Sequence, residues 1–518
     1  MKICMIAAEN GSIPGAKVGG LGDVVRDIPQ ALAELGHEID VVMPGYQRFA
    51  GVTGAEPQQP LKSRFREELL EVEVSRLELA GGVRCWLLDH PYIAAGGPGR
   101  IYCDDPPGRP FATDASKFAL FGAAACQLLV EGRLGDVDVI HLHDWHAAFV
   151  AMLARFDPRY ESLGYARLVA SIHNLAMQGI RPFADDESSL EAWFPELEYK
   201  RKAIADPRYP DCFNPMRAAI NLCDKVHTVS PTYAREIRKS NQPEIGFHGG
   251  EGLERDLQRA HRASKLSGIL NGCEYGEPDL ALPSGEDLID AAHKQVFHWI
   301  GDGPQVDSSH FIALERLARW RERPPGHWIT SISRLTPQKT ALFQVTMEDG
   351  NSCLENILAA LPQDHAFVML GSGDAEIEDF LTRVAARSDN FLFLKGYSEP
   401  LSRIIYALGA LFLMPSSFEP CGIGQMLAMR TGQPCLAHRV GGLKDTIEND
   451  VDGFTFTGRD PARQSEAFVR RLRQALSLKR RSPQRWAEIR RSCAARRFSW
   501  TESAQQYCEQ LYGGRSAG

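Results

Sequence analysis

The sequence predicts an α/β protein made of two doubly wound domains, each with a parallel sheet. Three observations predict it. Short apolar runs are continuous rather than alternating, as in strands buried on both faces. Segments with helical spacing follow several of them, and strand–helix alternation argues for a parallel sheet covered by helices. The alternation occurs twice, on either side of an irregular stretch near 275–325. At roughly 100–200 residues per domain, 518 residues favour two large domains or three small ones.

In the N-terminal half, KICMIAA (2–8) reads as the first buried strand. A glycine loop follows. Val24, Ile28, Leu32 and Leu35 then recur at helical spacing until Gly36 stops the helix. HEIDVVMP (37–44), CWLLD (85–89), DVIHLH (138–143), RLVASIH (167–173) and DKVHTVS (224–230) are the next strands, and PTYAREIRK (231–239) is a helix after the last. In the C-terminal half the strands are HWITSIS (327–333), HAFVMLG (365–371), NFLFLKG (390–396), ALFLMPS (410–416) and QPCLAHR (433–439). The segments GEPDLALPSGED and RERPPG, rich in Gly, Pro and charge, place a linker and a variable insertion between the halves. The arginine-rich tail 470–497, with Arg470, Arg480, Arg490 and Arg497, reads as a solvated helix face, with a polyanion site as the minor alternative.

Composition narrows the function classes. Hydrophobic residues make up 44% and charged residues 24%, which is ordinary for a globular chain. A net charge of −8 argues against a broad nucleic-acid or membrane footprint and leaves room for a local phosphate site. Glu9 interrupts the first apolar run, so it is too short for a signal-peptide core, and no membrane span is visible. The 12 cysteines are scattered without a C-x-x-C pair, the pattern of reduced thiols in a cytoplasmic protein.

Several residue clusters fall at strand ends, where open α/β sheets bind ligands. KVGGLGDV (17–24) pairs Lys17 with glycines that open a helix, a device suited to an anion. HLHDWH (141–146) has three histidines, but its order differs from that of metallo-hydrolases. A metal site, satisfied buried histidines and sugar hydrogen bonding all remain readings of it. SRLTPQK (333–339) places Arg334 and Lys339 five residues apart; they are either surface cations or a diphosphate clamp. FEPCGIGQ (418–425) sets Glu419 beside the backbone amides around Gly422 and Gly424. GSGD (371–374) reads as a tight turn.

Taken in order, AAEN…KVGGLGDV, HLHDWHAA, SIHNLAMQG, DKVHTVSPTYAREI, LSGILNG, SRLTPQK, KGY, PSSFEPCG and VGGLKD make the chain, from residue 1 to about 455, resemble the bacterial glycogen synthases and plant starch synthases. These are retaining glycosyltransferases of the GT-B fold. The resemblance implies two Rossmann-like domains facing a deep interdomain cleft: 1–265 for the glucan acceptor, 266–325 as linker and insertion, 326–490 for the nucleotide sugar, and 491–518 as a C-terminal helix crossing back to the first domain. It implies transfer of glucose from ADP-glucose to the non-reducing end of an α-1,4-glucan, with no cofactor and no metal. Nucleic acid and membranes are not implied as partners.

The resemblance also implies roles for residues. Arg334 and Lys339 neutralise the leaving diphosphate. Glu419, with Ser416, Cys421, Gly422, Ile423 and Gly424, holds the donor. Lys17, Gly19 and Gly20 close on its phosphates, while Asp23, Asp144, His173 and Asn271 line the sugar site. Tyr397 lies near the nucleotide and Glu9 toward the acceptor. Departures from the family pattern are Thr340 and Gly424, which exchange glycine and threonine relative to it, Ser417 in place of arginine, and NGCE (271–274) without the usual continuation. They leave open a UDP-glucose donor, a small sugar acceptor, or a silent glucan-binding protein. VGGL occurs a second time in RVGGLKDT (439–446), where a cleft wall or a purely structural turn is expected.

Overall fold

The computed structural model describes residues 1–275, 283–303 and 307–513. They divide into two compact units. The first comprises Met1–Asn241, Gly249–Glu274 and the stretch from Ser499; the second comprises Gln242–His248 and Tyr275–Phe498. Among the described residues, no helix is long and apolar enough to cross a membrane.

The first unit carries β1 (Lys2–Ile6), β2 (Glu38–Pro44), β3 (Glu56–Phe65), β4 (Glu68–Glu78), β5 (Arg84–Asp89), β6 (Val139–His143), β7 (Arg167–Ile172), a separate antiparallel pair of two-residue strands, β8 (Arg181–Pro182) and β9 (Cys212–Phe213), β10 (Lys225–Thr228) and β11 (Leu266–Gly268). Nine of these strands form one sheet in the order β11-β10-β7-β6-β1-β2-β5-β4-β3. Its central pairs are parallel, and β3 and β4 extend it as an antiparallel hairpin. That hairpin is absent from the sequence reading. Pro57 and Pro60 make β3 look like a loop, and only Leu61, Ser63 and Phe65 alternate inward. Proline is tolerated here because β3 is an edge strand, with a register shift between Gln58 and Leu61.

The second unit carries β12 (His327–Ile332), β13 (His365–Gly371), β14 (Phe391–Lys395), β15 (Leu411–Met414), β16 (Cys435–His438) and β17 (Phe454–Phe456), in the order β14-β13-β12-β15-β16-β17. All its pairs are parallel. A parallel sheet must be covered on both faces, and this requirement changes the reading of 266–325. Rather than linker and insertion, Leu266–Gly268 is the first sheet's edge strand. Gly285–Asp302 and Ser308–Glu322 are helices. Leu288, Ile289, Ala292 and Val296 from one, with Leu317 and Trp320 from the other, pack on Trp328, Val368, Leu370, Leu392 and Leu394. Burial of each such large side chain contributes roughly 1.5–3 kcal/mol. Residues 276–282 and 304–306 of that stretch lie outside the described residues.

The expected boundary at 491 also moves. Helix Pro483–Ala495 belongs to the second unit, and the chain enters the first at Ser499. There, helix Trp500–Tyr507 and the π-turn Cys508–Tyr512 cover a row of polar side chains on β6, β7 and β10. The Tyr512 hydroxyl meets His141 Nδ1 at 2.6 Å, His141 Nε2 meets Ser171 Oγ at 2.6 Å, and Ser171 Oγ meets His227 Nδ1 at 2.7 Å. Burial drives His227 down to about 4 and His141 well below the ordinary imidazole range, so both rings are held neutral at neutral pH. Tyr512→Phe removes one end of this buried chain. It is expected to cost about 1–3 kcal/mol, because His141 is left with an unmatched nitrogen. Urea denaturation of the full chain measures this, and a midpoint equal to wild type would show that the tail contributes no bond there.

Candidate active site

In a doubly wound sheet, ligands bind outside the carboxyl ends of the strands where the strand order reverses. That point lies between β1 and β6 in the first unit and between β12 and β15 in the second. Glu9 and the glycine loop follow β1, and Asp144 follows β6. Arg334 and Lys339 follow β12, and Ser416 through Gly424 follow β15. His173, Asn271 and Tyr397 follow β7, β11 and β14.

In the first unit Glu9 is only 3% exposed. Its Oε2 accepts from the backbone amides of Val18 at 2.6 Å and Gly19 at 2.7 Å, while the Tyr102 hydroxyl donates to Oε1 at 2.6 Å. The carboxylate expected to face an acceptor is therefore engaged in holding the glycine loop. Gly22 is required by this arrangement, since a Cβ there would stand 2.9 Å from Lys17 Cγ and 3.3 Å from Glu9 Oε2. Gly19 is the N-cap of helix Gly20–Glu34 and supplies no side-chain cap; of the first-turn amides, that of Gly22 donates to the Gly19 carbonyl at 3.2 Å. Lys17 Nζ lies 2.6 Å from Asp23 Oδ1, a carboxylate that Arg26 also approaches at 3.4 Å. The lysine side chain is 37% exposed, and such a pair is weak enough for Lys17 to exchange partners.

Asp144 begins helix Asp144–Phe156 in the left-handed region, φ 57°. Aspartate is one of the few residues that tolerates this, and strain of this kind gathers at functional sites. Its Oδ1 accepts from the backbone amides of His173 at 2.7 Å and Asn174 at 3.4 Å. Burial pushes its carboxyl up to about 7; those two hydrogen bonds oppose the rise and the Glu9 charge adds to it. His143 Nδ1 and His173 Nε2 share a hydrogen bond at 3.0 Å, and burial holds both rings well below the usual range. His146 packs among Tyr102, Phe118 and Trp145 and is pushed down to about 3 by burial. The three histidines of 141–146 thus face three different surroundings. Among the described residues, His143 Nε2, His146 Nδ1 and Asn271 Oδ1 are buried polar atoms with no partner, where a hydroxyl-rich ligand gains hydrogen bonds.

The second unit joins residues far apart in sequence. Lys339 Nζ forms an ion pair with Glu419 Oε2, and Glu419 is 4% exposed. Ser416 Oγ donates to the same carboxylate oxygen at 3.1 Å, and the His438 Nδ1–H donates to the Ser416 carbonyl at 3.0 Å. The Gln338 carbonyl accepts from Ser417 N at 2.9 Å and Phe418 N at 3.4 Å, fastening the lysine loop to the glutamate loop. Arg334 is exposed; its carbonyl accepts from Thr336 N at 3.1 Å and Ser333 Oγ at 3.0 Å, while its guanidinium, among the described residues, forms no hydrogen bond or ion pair. Tyr397 is 62% exposed at the end of β14. The GSGD turn is a close backbone crossing: Leu335 N donates to Ser372 O at 2.9 Å, and Asp374 N donates to Leu335 O at 2.7 Å.

Cys421 is buried beside this pair, and Gly422 takes φ 75°, which favours glycine. Ile423 caps a helix that starts at Gly424. Gly424 is not left-handed, and a Cβ there would meet Tyr406 Oη at 3.4 Å, an ordinary contact, so the backbone does not demand glycine at this position. The second VGGL serves the site from behind. Gly441 has φ 45°, and a Cβ on it would overlap the Glu419 carbonyl; one on Gly442 would overlap the Cys421 carbonyl. Gly442 N donates to Glu419 O at 3.0 Å. Tyr102 and the Gln338 carbonyl are contributors that the sequence reading missed. One sits in a Gly- and Pro-rich loop and the other is backbone, so neither carries a pattern of its own.

Residues 2–259 match the starch synthase catalytic domain family, and residues 342–476 match the glycosyl transferases group 1 family. The chain is 32% identical to Glycogen synthase 1 of Methylococcus capsulatus, over 98% of this chain and 95% of that protein. It is 30% identical to the glycogen synthase of Photobacterium profundum, over 100% of this chain and 95% of that one. Among solved structures it is similar to the catalytic domain of starch synthase IV from Arabidopsis thaliana bound to ADP and acarbose. That match has a TM-score of 0.73 and 28% identity, covering 99% of this chain and 98% of that one.

The two VGGL segments make opposite demands. A Cβ on Gly20 meets nothing within 4 Å, whereas one on Gly441 overlaps the Glu419 carbonyl. Gly20→Ala is expected to leave the melting temperature within about 1 °C of wild type, and Gly441→Ala to lower it by several degrees, each kcal/mol being worth about 2–4 °C in a large domain. Calorimetry that ranked the two alike would refute the distinction. Asp144 supplies a pH test. Its folded carboxyl is raised from 3.8 to about 7, so the folded state holds the extra proton and stability falls as pH rises between those values. At about 1.4 kcal/mol per pH unit, that fall is on the order of 4 kcal/mol. Asp144→Asn is expected to flatten the fall between about pH 4 and pH 7 in urea titrations; an unchanged slope would remove Asp144 as its source.

Proposed function

We propose a donor, an acceptor and residue roles for this chain from the fact that it belongs to the glycogen and starch synthase family of glycosyltransferases. It has the GT-B fold and is a glycosyltransferase of the glycogen and starch synthase type, with a nucleotide sugar and a glucan as its substrates. The donor we propose is ADP-glucose, and the transfer goes to the non-reducing end of an α-1,4-glucan with retention of configuration. The ADP held by the similar Arabidopsis starch synthase supports the choice of donor. A cytoplasmic location, with no cofactor or metal taking part, completes the proposal.

The observation that carries it is the Lys339–Glu419 pair beside an uncommitted Arg334 at the switch point of the second sheet. Lys339 and Arg334 take the charge that grows on the diphosphate as its bond to the anomeric carbon breaks. Glu419 and Ser416 hold the transferred glucose, and the amides near Gly422 and Gly424 support the donor. The acceptor hydroxyl forms the new bond from the same face, and its proton passes to the departing phosphate. No carboxylate acts as nucleophile in this scheme. Lys17 and the loop that Glu9 fastens supply a further cation and amides, while Asp144, His173 and Asn271 bind sugar hydroxyls. Tyr397 offers an exposed ring for the base.

Incorporation of labelled glucose into glycogen, with ADP-glucose and UDP-glucose compared, tests the scheme. Lys339→Gln and Glu419→Gln are each expected to slow elongation about 10²–10³-fold, the usual cost of losing one charge-stabilising group. Near-wild-type rates in both would refute the roles. Faster transfer from UDP-glucose, or transfer only to a small sugar phosphate, would refute the substrates. Glucan binding with no transfer from either donor would show a silent protein.

A further inference from the structure

Within HLHDWH, Asp144 has a role at the sugar site and the residue before it has none. His143 ends β6 and is fully buried. Its ring lies between two others. The His141 and His143 centroids are 4.5 Å apart with planes at 21°, and those of His143 and His173 are 5.2 Å apart at 25°. His141 is bonded on both nitrogens, to Tyr512 and to Ser171, so the far end of this column is fixed.

The backbone around His173 is fixed separately. Thr228 Oγ1 donates to the Ile172 carbonyl at 2.9 Å, Asp144 accepts from the His173 and Asn174 amides, and Leu175 N donates to the Tyr233 hydroxyl at 3.1 Å. These bonds leave the ring undecided, both in its rotation and in which nitrogen carries the proton. The His173 side chain is partly exposed, and its Nε2 meets His143 Nδ1 at 3.0 Å. Residues 143 and 144, neighbours in sequence, thus hold the side chain and the main chain of one residue. The other ring nitrogen of His173 makes no hydrogen bond among the described residues, so it is the one left for a ligand.

Burial keeps both rings neutral, so each carries one proton, and one proton lies between the two facing nitrogens. Two arrangements satisfy this. If His173 donates, the proton of His143 sits on Nε2, which is buried and has no partner among the described residues. If His143 donates, Nε2 is a bare acceptor. A buried N–H without a partner is rarer than a buried acceptor without one, which favours the second arrangement. We propose that His143 is a positioning residue: its Nδ1–H donates to His173 Nε2, so His173 keeps its own proton on Nδ1 and meets a sugar oxygen only as a donor. A hydroxyl that accepts this bond must send its own hydrogen elsewhere, which sets the sense of the hydrogen bonds around the sugar. The inference rests on the reading of His173 as a sugar-binding group.

NMR of the full chain labelled on its histidine nitrogens reads the tautomer, with His173→Gln identifying the signal. The wild-type protein is expected to hold the His173 proton on Nδ1; a proton on Nε2 would overturn the proposal. Elongation of glycogen from ADP-glucose gives the second readout. His143→Leu is expected to lower kcat about tenfold, the rate equivalent of one hydrogen bond. His143→Asn, whose amide N–H stands near the place of Nδ1–H, should recover part of that loss, which filling the space alone does not do. In His143→Leu/His173→Gln transfer should be no slower than in His173→Gln, because the same bond is missing from both. Losses that add would show His143 meeting the sugar itself or acting through the fold, and would overturn the proposal. An unchanged kcat in His143→Leu, or no recovery in His143→Asn, would do the same. A wild-type rate in His173→Gln would refute the sugar-binding reading of His173 and the role of His143 with it, while the tautomer still stands or falls on the wild-type spectrum.

Discussion

The ion pair between Lys339 and Glu419 is the interaction on which the second unit's site depends. Glu419 is buried against Lys339, and removing one member of a buried ion pair costs about 3–5 kcal/mol, because the other charge is left without a partner. The surrounding structure exists to keep those two side chains in register. The Gln338 carbonyl ties their loops, Ser416 shares the carboxylate, and two glycines of a following helix let its backbone press directly against the Glu419–Cys421 turn. Lys339 is thus held in one orientation by its buried partner.

The first unit solves a related problem with different means. Glu9 and Asp144 are both buried carboxylates at one switch point, and among the described residues neither has a cation on its oxygens. Backbone amides and a tyrosine hydroxyl satisfy them instead. Glu9 spends its charge on fixing a loop, whereas Asp144 is left poised near neutrality by desolvation. Two carboxylates of similar depth thus acquire different tasks from the number of donors around them.

Most of the architecture was legible in the sequence, because buried parallel strands announce themselves as unbroken apolar runs. KICMIAA, HAFVMLG and ALFLMPS all became central strands. The edge hairpin β3–β4 was not legible, since Pro57 and Pro60 mask its alternation. Nor were the helices at 285–302 and 308–322, although Ser284 and Asp287 form a capping box ahead of Leu288, Ile289, Ala292 and Val296. Flanking Gly, Pro and charge outweighed that signal. Motif order singled out Lys339, Glu419, Asp144 and His173, all of which follow strands, but not what each touches. The engagement of Glu9 with the loop amides, and the packing role of Gly441, depend on tertiary approach that spacing does not encode.

The return of the C-terminus to the first unit sets the order in which that unit can be completed. His141 and His227 lie on strands that precede the second unit in the chain, and the tyrosines that cover them, Tyr507 and Tyr512, follow it. Domains begin to fold as they leave the ribosome, N-terminal first. Here the N-terminal sheet must wait, with a polar row still wet, while the entire second unit is translated. Of the two units, the one begun first is therefore completed second, and a chain cut just after Phe498 leaves that polar row uncovered.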